Sequence, residues 1–241
     1  MANWSDPLMG APAATGVGTQ SAAYDAGLRS YMLSVYNYMA SGVLLTGVVA
    51  MLFANSGLAA QVLGTPLRWV IMLAPLAFVM VMSFGLNRLS TFALQACFWG
   101  FATVMGLSMS SIFLIYTGSS IAQTFFATAA AFAGLSLWGY TTKKDLSGFG
   151  TFLIMGVVGL LVASVINIFL QSGTMNLVIS FVGVLIFAGL TAYDTQKIKS
   201  MYAHVAGTDM MGKTIIMGAL NLYLDFVNMF QFLLSFMGSR D

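Results

Sequence analysis

The hydrophobic positions of this chain fall in long unbroken blocks. They do not alternate as in a half-buried strand, and they do not form the one-sided stripe of a surface helix. A helix that crosses a bilayer needs about 20 apolar residues. Seven blocks meet that length, at approximately 32–54, 69–86, 91–116, 119–140, 149–171, 176–197 and 214–237. The breaks between them are short: a loop around Pro66, a turn at 87–90, a turn at 118–120, the segment TTKKDLSG, the segment QSGTMN, and the longest at about 198–213. None has room for a soluble domain. Residues 29–241 therefore read as one all-α, polytopic membrane domain of seven helices. Residues 1–28 are polar, rich in Ala, Gly, Ser and Thr, and free of Lys and Arg. They lack the basic start and apolar core of a cleaved signal peptide. They read as a disordered tail, with the first span as the uncleaved insertion signal.

Composition sharpens this reading. The chain is 59% hydrophobic and 7% charged, whereas a soluble domain carries about 25% charged residues. Most of the surface must face lipid. All seven acids are Asp, and the net charge of +2 is too small to argue for nucleic acid or a polybasic patch. Cys97 is the only cysteine, so no intramolecular disulfide is possible, and an inert apolar thiol is expected. With seven spans, Arg29, Arg88, Lys143, Lys144, Lys197, Lys199 and Lys213 fall on one side and Arg68 and Arg240 on the other. The positive-inside rule then puts the N-terminus in the cytoplasm and the C-terminus outside, unless the last helix is re-entrant. Small residues at helical spacing (Ala127 with Ala131, Ala130 with Gly134, Gly156 with Gly159) are expected to let helices approach closely. The many Met and Phe residues read as core and lipid-facing filler, with no cofactor implied.

One octet points elsewhere. Gly207–Thr214, GTDMMGKT, fits the spacing of a phosphate-binding loop. Such a loop works between a buried strand and a helix N-terminus. Here a polar helix end, KIKSMYAHVA, precedes it and an apolar run follows. The expected structure is a turn between helices, with Gly207 and Gly212 permitting tight backbone angles and no nucleotide bound.

The informative ionisable groups are Asp194, in FAGLTAYDTQKIKS, and Asp225, in GALNLYLDFVNMFQF. Counted from a helix start near Ile215, Asp225 lies about 15 Å deep, near the bilayer midplane. An acid there costs about 2.5–3.5 kcal/mol on insertion scales, so such residues face the interior and mark pathways. Asn221 and Asn228 share its helix face, and Gln231 extends the edge of that stripe. All three are candidate pore-lining groups. Asp194 reads alternatively as an interfacial residue at a helix end, paired with Lys197.

GLTAYDTQKIK, followed by LNLYLDFVNMFQFLL, resembles the C-terminal signature of the Bax inhibitor-1 family, the transmembrane Bax inhibitor motif proteins. GLSMSSIFLIYT and YTTKKDLSGFG are similar to segments of its bacterial inner-membrane members. The resemblance covers about residues 25–238. It implies a seven-helix bundle with the last helix central, and a pH-sensitive calcium leak gated by a hydrogen-bonded aspartate pair, here Asp194 and Asp225. It also implies an arginine latch on the first aspartate, here Arg88, whose plain alternative is a cytoplasmic positive charge. Two carboxylates in contact away from water cannot both ionise cheaply, so they share a proton. Loss of that proton would separate the helices and expose oxygen atoms to Ca²⁺. Two carboxylates do not fill the six- to eight-oxygen shell of that ion, so the implied site at Asp194 and Asp225 is weak and transient, with calcium the permeant ion rather than a cofactor. An intramembrane aspartyl protease would also use two aspartates, but its GxGD-type motif is missing, so no enzyme is expected. The remaining alternative is an integral membrane regulator that binds a partner such as a quality-control protease.

Overall fold

The computed structural model describes residues 15–239, so the first fourteen residues of the expected tail and Arg240 lie outside it. Among the described residues the chain forms nine helices and no strand. They are α1 (Thr15–Asn55), α2 (Leu58–Leu63), α3 (Leu67–Gly85), α4 (Thr91–Met109), α5 (Ile112–Ile115), α6 (Gly118–Thr141), α7 (Ser147–Leu170), α8 (Gly173–Val205) and α9 (Met210–Met237). Seven stretches are long and apolar enough to span a bilayer: α1 from Ala22, α3, α4 continued through α5, α6, α7, α8 and α9. The protein is an all-α polytopic membrane protein.

Three spans start where a hydroxyl takes up a free backbone N–H, as helix N-caps do. Ser90 accepts from Ala93 N at 3.2 Å, Thr117 from Ser120 N at 3.2 Å and Ser172 from Met175 N at 3.3 Å. Within α3, Pro75 removes the N–H that would have bonded to Ile71 O. The Ser108 hydroxyl of α4 donates to that carbonyl at 2.5 Å, so the defect in one helix becomes a tie to the next. In a membrane, where water cannot satisfy the backbone, such repairs come from neighbouring helices.

Helix boundaries depart from expectation at several places. α1 begins at Thr15 and so runs through the second half of the segment expected to be a tail. Its early turns have something to pack on: Tyr24 and Tyr31 lie against Tyr202, with ring centroids 5.1 and 5.3 Å apart, and Gly27 leaves room for the Tyr202 hydroxyl. The Pro66 loop contains the short helix α2. α8 begins at Gly173, three residues early, because Gln171 takes a left-handed conformation (φ 49°) and Ser172 caps at once. At its other end α8 continues to Val205, so the connection expected over 198–213 is only Ala206–Asp209. The polar run KIKSMYAHV is helix that extends beyond the apolar block.

The octet resembling a phosphate loop is resolved by this geometry. It follows a helix, and its second half is the first turn of α9. Gly207 makes the turn at φ 74°. Gly212, expected to share that role, is helical instead; its missing side chain makes room for Thr91. Lys213 donates to Leu86 O at 3.1 Å, tying α9 to the end of α3.

The small residues also act differently from expectation. Ala127, Ala130, Ala131 and Gly134 lie on an exposed face of α6, and a side chain at Gly134 or Gly159 would meet nothing. Gly156, expected to pair with Gly159, does approach α8, where a side chain would meet Ile186. Close approach occurs at other glycines. Gly139 lies against the backbone of Ala192, Gly150 against the ring of Tyr193, Gly183 against Phe232 and Gly189 against Leu153. All four seat α8 against its neighbours. The remaining neighbours of α9 are α1, α4 and α6, and α9 is the most buried of the spans. Cys97 is half-buried among apolar neighbours.

Candidate functional site

α8 and α9 are antiparallel, and their contacts fix the register. Ile198 meets Gly218, Phe232 meets Gly183, and Ser180 donates to the Ser235 hydroxyl at 3.1 Å. These pairs set Asp225 about level with Thr191 and Asp194 about one turn away along the seam, roughly 5 Å in axial terms. Asp225 is 4% exposed and lies within the electrostatic reach of Asp194. Its Oδ2 has no hydrogen-bond partner. Among the described residues no hydrogen bond joins the two carboxylates. Asp194 is half-buried. It lies eleven residues before Val205, well inside a continuous helix rather than at its end.

The elements around Asp194 hold it from three sides. Ala192 and Tyr193, the residues immediately before it, sit against Gly139 of α6 and Gly150 of α7. Just after it, Gln196 grips the α6–α7 turn: its Oε1 accepts from Leu146 N at 2.9 Å and its Nε2 donates to Lys144 O at 2.8 Å. Lys199 Nζ donates to Tyr140 O at 2.8 Å and lies 4.7 Å from the centre of the Tyr140 ring. The motifs TAYDTQKIK and YTTKKDLSGFG are thus two halves of one packed unit. In that turn Asp145 accepts a hydrogen bond from Ser147 N at 2.9 Å, and hydrogen bonding to Ser147 holds its carboxyl below the usual carboxylate range. Asp225 has no comparable donor at its Oδ2.

Of the other sequence candidates, Asn221 and Asn228 are half-buried on α9. Asn228 Nδ2 donates to Leu224 O at 2.8 Å, which leaves its amide oxygen free to accept. Gln231 is exposed, as its offset around the helix allows. Arg88 stands exposed in the α3–α4 turn and makes no ion pair with Asp194. Lys197, one turn further along the same helix, holds its Nζ 5.8 Å from the centre of the Tyr193 ring. Among the described residues no three His, Cys, Asp or Glu side chains gather, so the acidic donors at this seam are the two aspartates.

A hydroxyl network borders the seam that the sequence reading did not single out. Tyr36 OH and Ser136 Oγ are 2.6 Å apart, and Ser136 Oγ and Thr195 Oγ1 are 2.9 Å apart, linking α1, α6 and α8 beside Asp194. Deeper in, Thr46 donates to Ala102 O at 2.8 Å and lies 2.6 Å from the Tyr223 hydroxyl. The signal was present in α6. Ser120, Thr124, Thr128 and Ser136 recur at multiples of four with Phe132 between, and all are buried. Threonine and serine attract less notice than aspartate because their hydroxyls can bond to their own helix, as Thr191 does to Phe187 O and Thr195 to Thr191 O.

The comparison with known proteins settles what this arrangement belongs to. A family model described as inhibitor of apoptosis-promoting Bax1 matches residues 28–241. The chain belongs to the Bax inhibitor-1 family. It is 44% identical to the inner membrane protein YbhL of Escherichia coli over 89% of this chain and 94% of that one. It is 46% identical to an uncharacterized protein of Caulobacter vibrioides over 90% and 91% of the two chains. An uncharacterized protein of Rickettsia prowazekii is 45% identical over 90% and 92%. The match to the Bax inhibitor-1 family covers every spanning helix except the first turns of α1, and both aspartates lie inside it.

Proposed function

We propose that this Bax inhibitor-1 family protein is a pH-sensitive calcium leak of the bacterial inner membrane, with its N-terminus cytoplasmic, and that Asp194 and Asp225 form its gate. The observation that carries this reading is Asp225: a carboxylate buried at mid-span, with one oxygen lacking any partner and a second acid within reach across the seam. An isolated charge in this position is costly, and a purely structural role would have provided a donor. The free Oδ2 is the atom on which a shared proton can sit.

With that proton in place the seam carries a single negative charge and α8 and α9 stay packed. Once it leaves, two like charges face each other in a low dielectric and push the helices apart. The freed oxygens, with the amide oxygen of Asn228, carbonyls and water, then offer a hard cation a weak set of ligands. Weak binding suits passage, because an ion must leave as readily as it enters. Arg88 would serve as the closed-state latch on Asp194 only by forming an ion pair that is not made here.

Calcium entry into liposomes containing the full-length protein tests conduction itself. Wild-type protein is expected to raise calcium entry above empty liposomes at pH 8, and Asp194→Asn/Asp225→Asn to reduce it at least severalfold. Entry indistinguishable from empty liposomes would reject the leak and favour a regulator that binds a membrane partner.

A further inference from the structure

α1 and α6 both pack on α9, but between them a crevice of about 850 Å³ opens sideways. Small side chains leave the gap: Ala40 on α1, and Ala129 and Ala133 on α6. Met32, Met39, Phe132 and Phe226 form its apolar inner wall, and Leu33, Leu44 and Leu137 on its lips are exposed. A second cavity of about 300 Å³ continues along the same gap towards Ala50, sharing Val43, Phe125 and Phe226 with the first. Volumes of roughly 300–1,000 Å³ hold a drug-sized ligand, and from Arg29 to Leu44 the crevice runs about 22 Å along α1. Neither cavity is lined by Asp194 or Asp225, so this is a separate feature.

The mouth is not apolar. Asp25 and Arg29, one turn apart on α1, line it together with Tyr140 and the bonded hydroxyls of Tyr36 and Ser136. Asp25 and Arg29 are exposed and are not closed on each other as an ion pair. One end of the crevice therefore presents a cation and an anion side by side, and the rest presents a slot between two membrane helices. What fills a lateral slot in a bilayer is lipid. The paired charges select its headgroup: a phosphate for the Arg29 guanidinium and an ammonium for the Asp25 carboxylate. A purely anionic headgroup would satisfy Arg29 but meet repulsion from Asp25.

We propose that the α1–α6 crevice is a binding site for a zwitterionic, amine-bearing phospholipid, phosphatidylethanolamine, with an acyl chain between Ala40 and Ala133 and its headgroup on Asp25 and Arg29. The site stands whether or not the protein conducts calcium. Native mass spectrometry of the full-length protein in detergent, titrated with phosphatidylethanolamine or phosphatidylglycerol, tests it. One tightly held phosphatidylethanolamine is expected, retained in preference to phosphatidylglycerol. Arg29→Gln should weaken retention roughly tenfold, the loss of one charge-assisted contact. Asp25→Asn should shift the preference towards phosphatidylglycerol. Ala133→Trp should fill the slot and remove the adduct. The two charge changes lie on exposed positions and leave the fold intact, so they decide the matter even if Ala133→Trp packs poorly. Equal retention of both lipids by the wild type, or an adduct unchanged in Arg29→Gln and Asp25→Asn, would overturn the proposal.

Discussion

α7 and α9 are both single uninterrupted spans, of 24 and 28 residues, yet they are opposites. α7 is the most apolar of the seven spans and among the least buried; α9 is the least apolar and the most buried. In a soluble protein that order would be reversed. In a bilayer the apolar helix faces lipid, and the helix carrying Asp225, Asn221 and Asn228 must hide them. The span with the weakest hydrophobic signal is therefore the one to examine for chemistry, and the span with the strongest is the one to mutate as a control.

Substitutions at glycine should separate a buried helix seam from a lipid-facing surface such as that of α7 most sharply. Gly139→Leu would drive a side chain into the Ala192 backbone, which cannot yield, and would pry α6 from α8. A loss of about 3 kcal/mol is expected, read as a fall in Tm of roughly 10 °C in detergent-solubilised protein. The matching change on α7, Gly159→Leu, enters open space and should leave Tm within about 2 °C. Equal effects at the two positions would break the contrast. Thr46→Val comes next. It removes the bonds to Tyr223 OH and Ala102 O and leaves buried polar groups unpaired, for about 1–2 kcal/mol and a Tm lower by a few degrees. Above the pH at which the shared proton leaves, Asp225→Asn should go the other way, raising stability by about 1 kcal/mol, because an amide cannot take on the charge the acid acquires there; a marked loss of Tm would show that the acid is structural. The smallest effect is expected for Phe169→Leu on α7, where the ring is 83% exposed: no change in Tm beyond about 1 °C.

The number and type of the spans were legible because lipid imposes one rule, about twenty apolar residues per crossing, and the chain obeys it. Boundaries were less legible wherever polar residues stayed helical. KIKSMYAHV reads as a loop by hydropathy, but the backbone continues and Tyr202 packs against Tyr24 and Tyr31. Asp194 and Asp225 could be picked out because acids are rare in apolar blocks. That α8 and α9 bring them to neighbouring levels could not be read from the chain, because it depends on a register set by Gly183, Gly218 and the partners of each. The exposed position of Arg88 and the crevice between α1 and α6 are likewise products of packing. Spacing also misled: Ala127, Ala130, Ala131 and Gly134 form a regular small-residue pattern that faces outward, while the glycines that make contact, such as Gly139 and Gly150, lie on different helices and form no pattern along the chain.

The central claim is that one shared proton holds the α8–α9 seam closed. It is tested most directly by the pH profile of calcium flux through reconstituted wild-type protein beside Asp194→Asn and Asp225→Asn, across roughly pH 5.5–8.5, a range wide enough to include a carboxylate pair held away from water. The proton is bound at low pH and leaves as pH rises, so wild-type flux should rise with pH. Each asparagine imitates a permanently protonated acid, so each variant should give a flat profile at the low level. Flux whose pH dependence survives both substitutions would contradict the account and move the gate away from this pair.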